Sequence, residues 1–520
     1  MLQIQSSRDP KYSEVQRSKS NLSFSLHFFL PLPLLASFEL RIAGASVFNE
    51  SVQEEESAFL TKSIVPLPDP RLDYIFFSLL KKQTTKINFI SGDMGCLVSK
   101  PADSGGNRRR PGNIGELSVY VPGLRIPKPV DFSLTLGDHL SKNLVERLSA
   151  LRTRIVVMAG QEGPTITRTR RKTATQHGGS TLADLQQALE DYLPVLLGLV
   201  KDGNQLQHKV QFAWINQEDD LEETAMSNAW YEVLSVLHLM AMLSLSQANL
   251  LLLPRTSPDG YQPKVSEESR RASIDIFVKA AGYLDCAVRH VLPQLPAEFR
   301  RNLPVDLAEG VLRGLCLHAL GQGVDIQLGM AIDSTKATLA VKRRLACEMV
   351  KYWQQAQDNI MNQPLSNGWG EKHRLFVKWK YIEAKAVAYY YHGLILDEGN
   401  TEKAHGMAVA ALQAADEFFK ESKKACDAFN SASPLSRNPP LFGTMKYLSE
   451  KIPKDASSKV RINRDLYSFQ KIVETAPTLP DFALALKPDE FQLPAVDPSF
   501  HEENINRGQI ASKQLKGDQR

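Results

Sequence analysis

Residues 378–424 read KWKYIEAKAVAYYYHGLILDEGNTEKAHGMAVAALQAADEFFKESKK, and this stretch decides the fold. Tyr381, Ala384, Ala388, Tyr391 and Ile395 recur at the intervals that place side chains on one face of an α-helix. Asp397, Glu398, Gly399, Asn400 and Thr401 interrupt the pattern, and Gly399 suits a left-handed C-terminal cap. A second helix follows at once, with Ala404, Met407, Ala408, Ala411, Ala415 and Phe418 along one face. Small residues in that row let two antiparallel helices approach closely, as in tetratricopeptide hairpins. No strict repeat at the tetratricopeptide period accompanies the pair, so a non-repetitive helical solenoid is expected.

The pattern stays helical toward the N-terminus. Residues 233–253 are apolar and long enough to cross a membrane. His238, Gln247, Asn249 and several serines within that run, and the lack of strong basic flanks, favour a helix buried at the centre of a helical array. Leu182, Leu185, Leu189 and Leu193 form one stripe, which Ser180 and Thr181 can cap. Leu134, Leu136, Leu140, Leu144, Leu148 and Leu151 form another. Upstream, Leu117, Val119 and Val121 alternate with polar residues like a short strand ended by Pro122 and Gly123. Beyond residue 433 a proline-rich loop and a short helix lead to residues 475–500. Five prolines there predict an extended strap, whose Leu479, Phe482, Leu484, Leu486, Phe491 and Leu493 must lie on the helical body to be hidden.

The 520 residues have ordinary apolar and charged fractions for a globular protein. Cys96, Cys286, Cys316, Cys347 and Cys426 are odd in number, widely spaced and without a CxxC, which argues against a disulfide scaffold or a zinc site and for a reducing compartment. The net charge of +4 is unevenly spread, since residues 95–180 carry 14 Lys and Arg against 6 Asp and Glu. Arg108, Arg109 and Arg110, then Arg168, Arg170, Arg171 and Lys172, form two basic clusters. No aromatic residues interleave with them, so nucleic acid is not the expected partner.

An anionic membrane surface is the expected partner, because Met94-Gly95-Cys96-Leu97-Val98-Ser99 fits an N-myristoylation signal with a palmitoylatable thiol beside the glycine. Two acyl chains hold where one binds only marginally. The expectation is that Met94 is the true start, residues 1–93 an unstructured or non-native extension, 94–115 a lipidated basic segment, 116–500 the helical domain and 501–520 a polar tail. The competing reading takes residues 27–38 as a secretory apolar run, although Pro31 and Pro33 make it a poor helix. Mass spectrometry of the native N-terminus decides: a peptide beginning at acylated Gly95 is expected, and one beginning near Met1 overturns the scheme.

Catalytic signatures are scarce. HExxH, P-loop and GxSxG motifs are missing, and Gly321-Gln322-Gly323 lacks the third glycine of a dinucleotide fingerprint. Asp219, Asp220, Glu222 and Glu223 resemble the aspartate-rich motif with which helical isoprenoid synthases hold magnesium and a diphosphate. The second metal-binding segment of such enzymes is not visible, and an acidic helix start accounts for the run. No catalytic residue, metal site or cofactor is therefore expected.

Four stretches together resemble the Bro domain of the Alix/BROX-like Bro-one family. They are Val210-Gln211-Phe212-Ala213-Trp214 with the long helix from Asn228, Phe277 to Tyr283, Leu317 to Gln327, and the hairpin 378–419. Near the end, Asn463, Asp465, Leu466 and Tyr467 fit the family signature, but Ser468 stands where His is usual. The resemblance implies an all-α, elongated, boomerang-shaped solenoid with one short β element near its N-terminus. It also implies a non-enzymatic adaptor that binds the C-terminal helix of ESCRT-III subunits at endosomal or plasma membranes, on the cytoplasmic side. By order along the chain, the binding patch would involve Lys351, Tyr352, Trp353, Ile360, Leu365, Leu375 and Phe376, with Trp353 as the aromatic anchor. A generic helical scaffold for another peptide is the rival reading, and a magnesium-dependent diphosphate enzyme the remote one.

Overall fold

The structure is a computed structural model. It describes residues 119–168, 178–201, 205–217, 223–253, 265–361, 363, 370–399, 402–435, 438–439, 445–466 and 475–500, all within one unit, Gly106–Arg520. Gly95, Cys96, the arginines at 108–110, 170 and 171, Lys172, Leu365 and residues 219–222 lie outside them, as does the side chain of Arg168.

Three strands open the described chain: β1 (Arg125–Pro127), β2 (Phe212–Asn216) and β3 (Glu223–Met226). They pair antiparallel in the order β1-β2-β3, with Ile126 opposite Ile215 and Trp214 opposite Thr224. The strand is thus not at Val119 and Val121 but just after Pro122 and Gly123. Val119 and its neighbour Tyr120 are both buried, so their alternation does not divide core from solvent. Glu223 begins a strand, which corrects the reading of the acidic run as a helix start.

The helices are α1 (Phe132–Leu136), α2 (Lys142–Arg168), α3 (Gly178–Leu197), α4 (Ala229–Leu252), α5 (Glu267–Cys286), α6 (Ala297–Arg301), α7 (Glu309–Asp333), α8 (Leu339–Met361), α9 (Glu371–Glu398), α10 (Glu402–Ser431), α11 (Met445–Leu448) and α12 (Lys451–Leu466). The long helices pack in succession, α2 on α3, α3 on α4, α4 on α5, α5 on α7, α7 on α8, α8 on α9 and α9 on α10, with α12 against α10. The expected all-α solenoid is observed. The predicted leucine stripe splits between α1 and α2, leaving Leu134 85% exposed while Leu136, Leu140, Leu144 and Leu148 are buried. Helix α4 is the run long and apolar enough for a membrane, and the array encloses it: residues 231–245 are buried without a break.

Helices α9 and α10 form the predicted hairpin. Ala404, Ala408, Ala411 and Ala415 are buried, and a Cβ at Gly393 would stand 2.8 Å from Leu412, so the close approach is real. The cap differs from expectation, because Gly399 has an extended backbone (φ −71°) and the positive φ belongs to Gly370, at the start of α9.

Two ionic clusters lie inside the first half of the array. Arg125 is fully buried against Asp306 at 2.5 Å, which also accepts from Asn216 at 2.7 Å, while Arg125 donates to Tyr231 at 2.8 Å. Beside it, Arg152 pairs with Glu232 at 2.6 Å, and Glu232 accepts from the Trp214 indole at 2.6 Å. Burial pushes the Asp306 carboxyl up, but Arg125 and His238 outweigh it and hold the group below the ordinary range. Arg125 and Tyr231 tie β1 to α4, and Arg152 and Glu232 tie α2 to α4; removing one member of either ion pair leaves the other buried and uncompensated.

Residues 475–500 form the predicted strap, without regular secondary structure. Its inward side chains alternate with exposed ones: Phe482, Leu484 and Leu486 pack on the core, while Ala483, Ala485 and Lys487 face solvent. Glycines make the room. A Cβ at Gly323 of α7 would meet Leu486 at 2.8 Å, one at Gly282 of α5 the Asp489 carbonyl at 2.6 Å, and one at Gly198 the Phe500 ring.

Candidate functional site

Leu365 lies outside the described residues; the other residues expected to form a partner patch fall into two groups, neither of them an open surface. Trp353 is fully buried, tilted against His318 at 5.3 Å and edge-on to Phe376 at 5.8 Å. Ile360 and Phe376 are buried too, Ile360 over Gly314 of α7 and Phe376 among Tyr120, His318, Trp379 and Phe429. Leu375 is half-buried against this cluster. The physical reason is geometric: α8 lies between α7 and α9, and Trp353 and Ile360 share the α8 stripe that meets the glycines of α7.

Lys351 and Tyr352 face another side of α8, where the strap covers them. The Lys351 ammonium donates to the Phe482 carbonyl and pairs with Asp481, and the Tyr352 hydroxyl donates to the Leu486 carbonyl. Burial, with Glu348 nearby, raises the Tyr352 phenol above its usual range, so it stays a donor. Glu348 completes the clasp by accepting from the Ala485 N–H at 3.2 Å. These side chains hold this chain's own strap.

An apolar surface remains open on the same side of α8, one turn nearer its N-terminus. Val341 is 46% exposed and Leu345 half-buried; they stand four residues apart and therefore on one face. Lys342 and Arg344 flank them, with Arg344 bonded to Glu348 at 3.0 Å, while Arg343 is half-buried on the opposite side of α8, near His392 of α9. The sequence held a signal for this site. The buried stripe of α8 runs Ala346, Met349, Trp353, Ala356, Ile360, and Val341 and Leu345 are apolar residues off that stripe beside three consecutive bases. A partly exposed apolar pair flanked by two bases suits an amphipathic helix with acidic flanks.

Titratable groups elsewhere are built into the core. Lys380 of α9 bonds Asp325 of α7 at 2.7 Å and Glu383; burial pulls its ammonium down, but the two carboxylates hold it above its usual range. His318 and His373 meet at 3.0 Å, and burial pushes both imidazoles down, His373 to about 3. Such groups stabilise a fold and have no access to substrate. A polar cleft of about 430 Å3 between α10 and α12 sets Asp416 and Glu417 opposite Arg461 and Arg464, but Lys420 already neutralises Asp416 at 2.7 Å. Among the described residues no group of three His, Cys, Asp or Glu is placed to hold a metal.

Residues 128–477 match the family model of the BRO1-like domain. The chain belongs to that family. Among solved structures, this BRO1-like domain is similar to ALIX in complex with the SIVmac239 PYKEVTEDL late domain, with a TM-score of 0.54 and 17% identity over 77% of this chain. The match covers 54% of that ALIX chain, so the present chain spans about half its length. Also similar are an ALIX BRO1–CHMP4C complex (TM-score 0.49, 17% identity, 74% of this chain and 97% of that one) and a Bro1 domain described as a basis for endosomal targeting (0.46, 15%, 74% and 96%). At 17% identity the likeness to the first of these ALIX structures speaks for the fold alone. No curated protein sequence matches.

Proposed function

We propose that this BRO1-like domain is a non-enzymatic adaptor that binds the C-terminal helix of an ESCRT-III subunit at endosomal membranes, serving multivesicular-body sorting or membrane remodelling. The observation that carries the reading is the open Val341–Leu345 pair with its basic rim, on a helical array of the BRO1-like family. That a related ALIX domain is described in complex with CHMP4C agrees with an ESCRT-III helix as the occupant. The apolar stripe of the helix seats on Val341 and Leu345, and its acidic flanks meet Lys342 and Arg344. Anchoring at Gly95 and Cys96, helped by the basic residues at 108–110 and 168–172, would hold the module on an anionic membrane.

The test is calorimetric titration with peptides of ESCRT-III C-terminal helices. Val341→Asp and Leu345→Asp each place a charge where an apolar contact forms, and each is expected to weaken binding at least tenfold with the melting temperature of Val341→Asp unchanged. If no such peptide binds the wild-type domain, or both variants bind as well as it does, the assignment fails. Tight binding of an unrelated peptide instead would favour a general helical scaffold.

A further inference from the structure

Helix α12, KIPKDASSKVRINRDL, carries five Lys and Arg against two Asp. One side of it is tied to α9, where Asp455 accepts from the Tyr390 hydroxyl at 2.8 Å and Lys459 pairs with Asp397. The other side presents Ser457, Arg461 and Arg464, which stand three and four residues apart and so form one row. All three are exposed and line the cleft of about 430 Å3 between α12 and α10, into which Lys420 of α10 also projects. Among the described residues Arg461 has no ion-pair partner, and Arg464 makes only an exposed contact with its neighbour Asp465 at 3.4 Å. The Ser457 hydroxyl donates to the Pro453 carbonyl at 2.7 Å, one turn back on its own helix, and ties α12 to nothing else.

We propose that Ser457 is a phosphorylation site for a serine kinase that selects basic segments, and that the cleft between α10 and α12 seats the phosphate. This stands apart from the ESCRT-III reading. Lys454 three residues before the serine, Lys459 two after it and Arg461 four after it supply the cations that an acid-lined kinase cleft recognises. Another basic segment, Arg270-Arg271-Ala272 before Ser273, matches such a preference more closely in sequence. The fold excludes it, because Ser273 is fully buried with its hydroxyl on the Arg270 carbonyl at 2.7 Å, and Asp333 holds Arg270 at 2.8 Å. Ser457 is exposed, on the last helix of the array, which packs chiefly on α10 and the short α11; such peripheral elements open at a fraction of the global free energy. In the transfer, the Ser457 Oγ bonds to the γ-phosphorus of ATP as the bond to the β-phosphate oxygen breaks; ADP leaves, and the hydroxyl proton passes to the kinase's catalytic carboxylate. The new dianion stands one turn from Arg461, a charge-assisted pair. Lys420, bonded to Asp416 at 2.7 Å, keeps that carboxylate neutralised and adds a cation from the α10 wall, while Glu417 is exposed and screened by solvent. Phosphorylation therefore fastens α12 to α10 across the cleft.

The test treats the whole folded chain with a protein kinase C catalytic domain and Mg-ATP and maps the product by mass spectrometry. A phosphopeptide carrying phospho-Ser457 is expected and none carrying phospho-Ser273; Ser457→Ala removes the first and leaves the melting temperature unchanged. A folded chain that yields no phospho-Ser457 overturns the site, even where the heat-unfolded chain is labelled there, since α12 then does not open to the kinase. The seat is read by phosphorus NMR on the phosphorylated chain, with the Ser457 signal assigned by its loss in Ser457→Ala. Its second ionisation is expected about 0.5 unit below the ordinary value of about 6, and back at that value in Arg461→Ala. Amide exchange over α12 is expected to slow by about threefold to tenfold in the phosphorylated chain. An unshifted ionisation with unchanged exchange would place the phosphate in open water and overturn the seat.

Discussion

Trp353→Ala lowers the stability of this domain by about 3–5 kcal/mol, the range for deleting a large buried aromatic, and Trp353→Asp leaves no folded domain in which to measure binding. The indole is fully enclosed, with Phe376 and His318 on its faces and edges. Below it, a Cβ at Gly321 would come within 2.8 Å of the ring, so α7 approaches α8 too closely for the gap to refill by a small shift. Aspartate puts a carboxylate into a cavity lined by the Phe376 and His318 rings, which costs more than the lost contacts. Urea unfolding followed by tryptophan fluorescence and circular dichroism checks this. A Trp353→Asp protein with the wild-type midpoint would show that the side chain is not core, and would restore it as a candidate anchor. On the docking face proposed above, variants at Val341 and Leu345 are the ones expected to report on partner binding.

Acidification is the second large effect. His238 and His373 are buried, and burial, the largest influence on each, pushes their imidazoles down from 6.5 to about 4 and about 3. Asp306 raises and Arg125 lowers the His238 value, while His373 sits against Tyr120 and His318. The folded state thus resists protonation that the unfolded chain accepts at its ordinary value. Their contribution is complete above about pH 6.5 and falls as pH drops from there toward the folded values, each histidine costing about 1.4 kcal/mol per pH unit. By pH 4.5 the two together remove roughly 5 kcal/mol, a large part of a typical domain's stability. Asp306, held below its usual range, contributes a further loss only at more acidic pH, where carboxylates take up protons. Equilibrium unfolding at pH 7.0, 5.5 and 4.5 measures the slope. Equal stability at pH 7.0 and 4.5 would mean that the two imidazoles are open to solvent.

Much of this was written into the sequence, and the split follows from how far each interaction reaches. Helical stripes are local, since three- and four-residue spacings fix which side of one helix is apolar, so the α9–α10 hairpin, the buried α4 and the strap could be read directly. The resemblance to the BRO1-like family rested on such stretches in order, and residues 128–477 bear it out. The partner patch could not be located in this way. Whether an aromatic on an amphipathic helix faces a partner or its own core depends on what packs there, and Trp353 meets Gly321 and Phe376. Lys351 and Tyr352 look exposed by spacing until the strap arrives from 131 and 134 residues away. Arg125 and Asp306, 181 residues apart, give no local sign that they form one buried pair. Periodicity therefore determined the elements, and the resemblance of four stretches in order pointed to the family; only the tertiary structure decided which faces are already covered by the chain itself, because long-range burial leaves no period in the sequence.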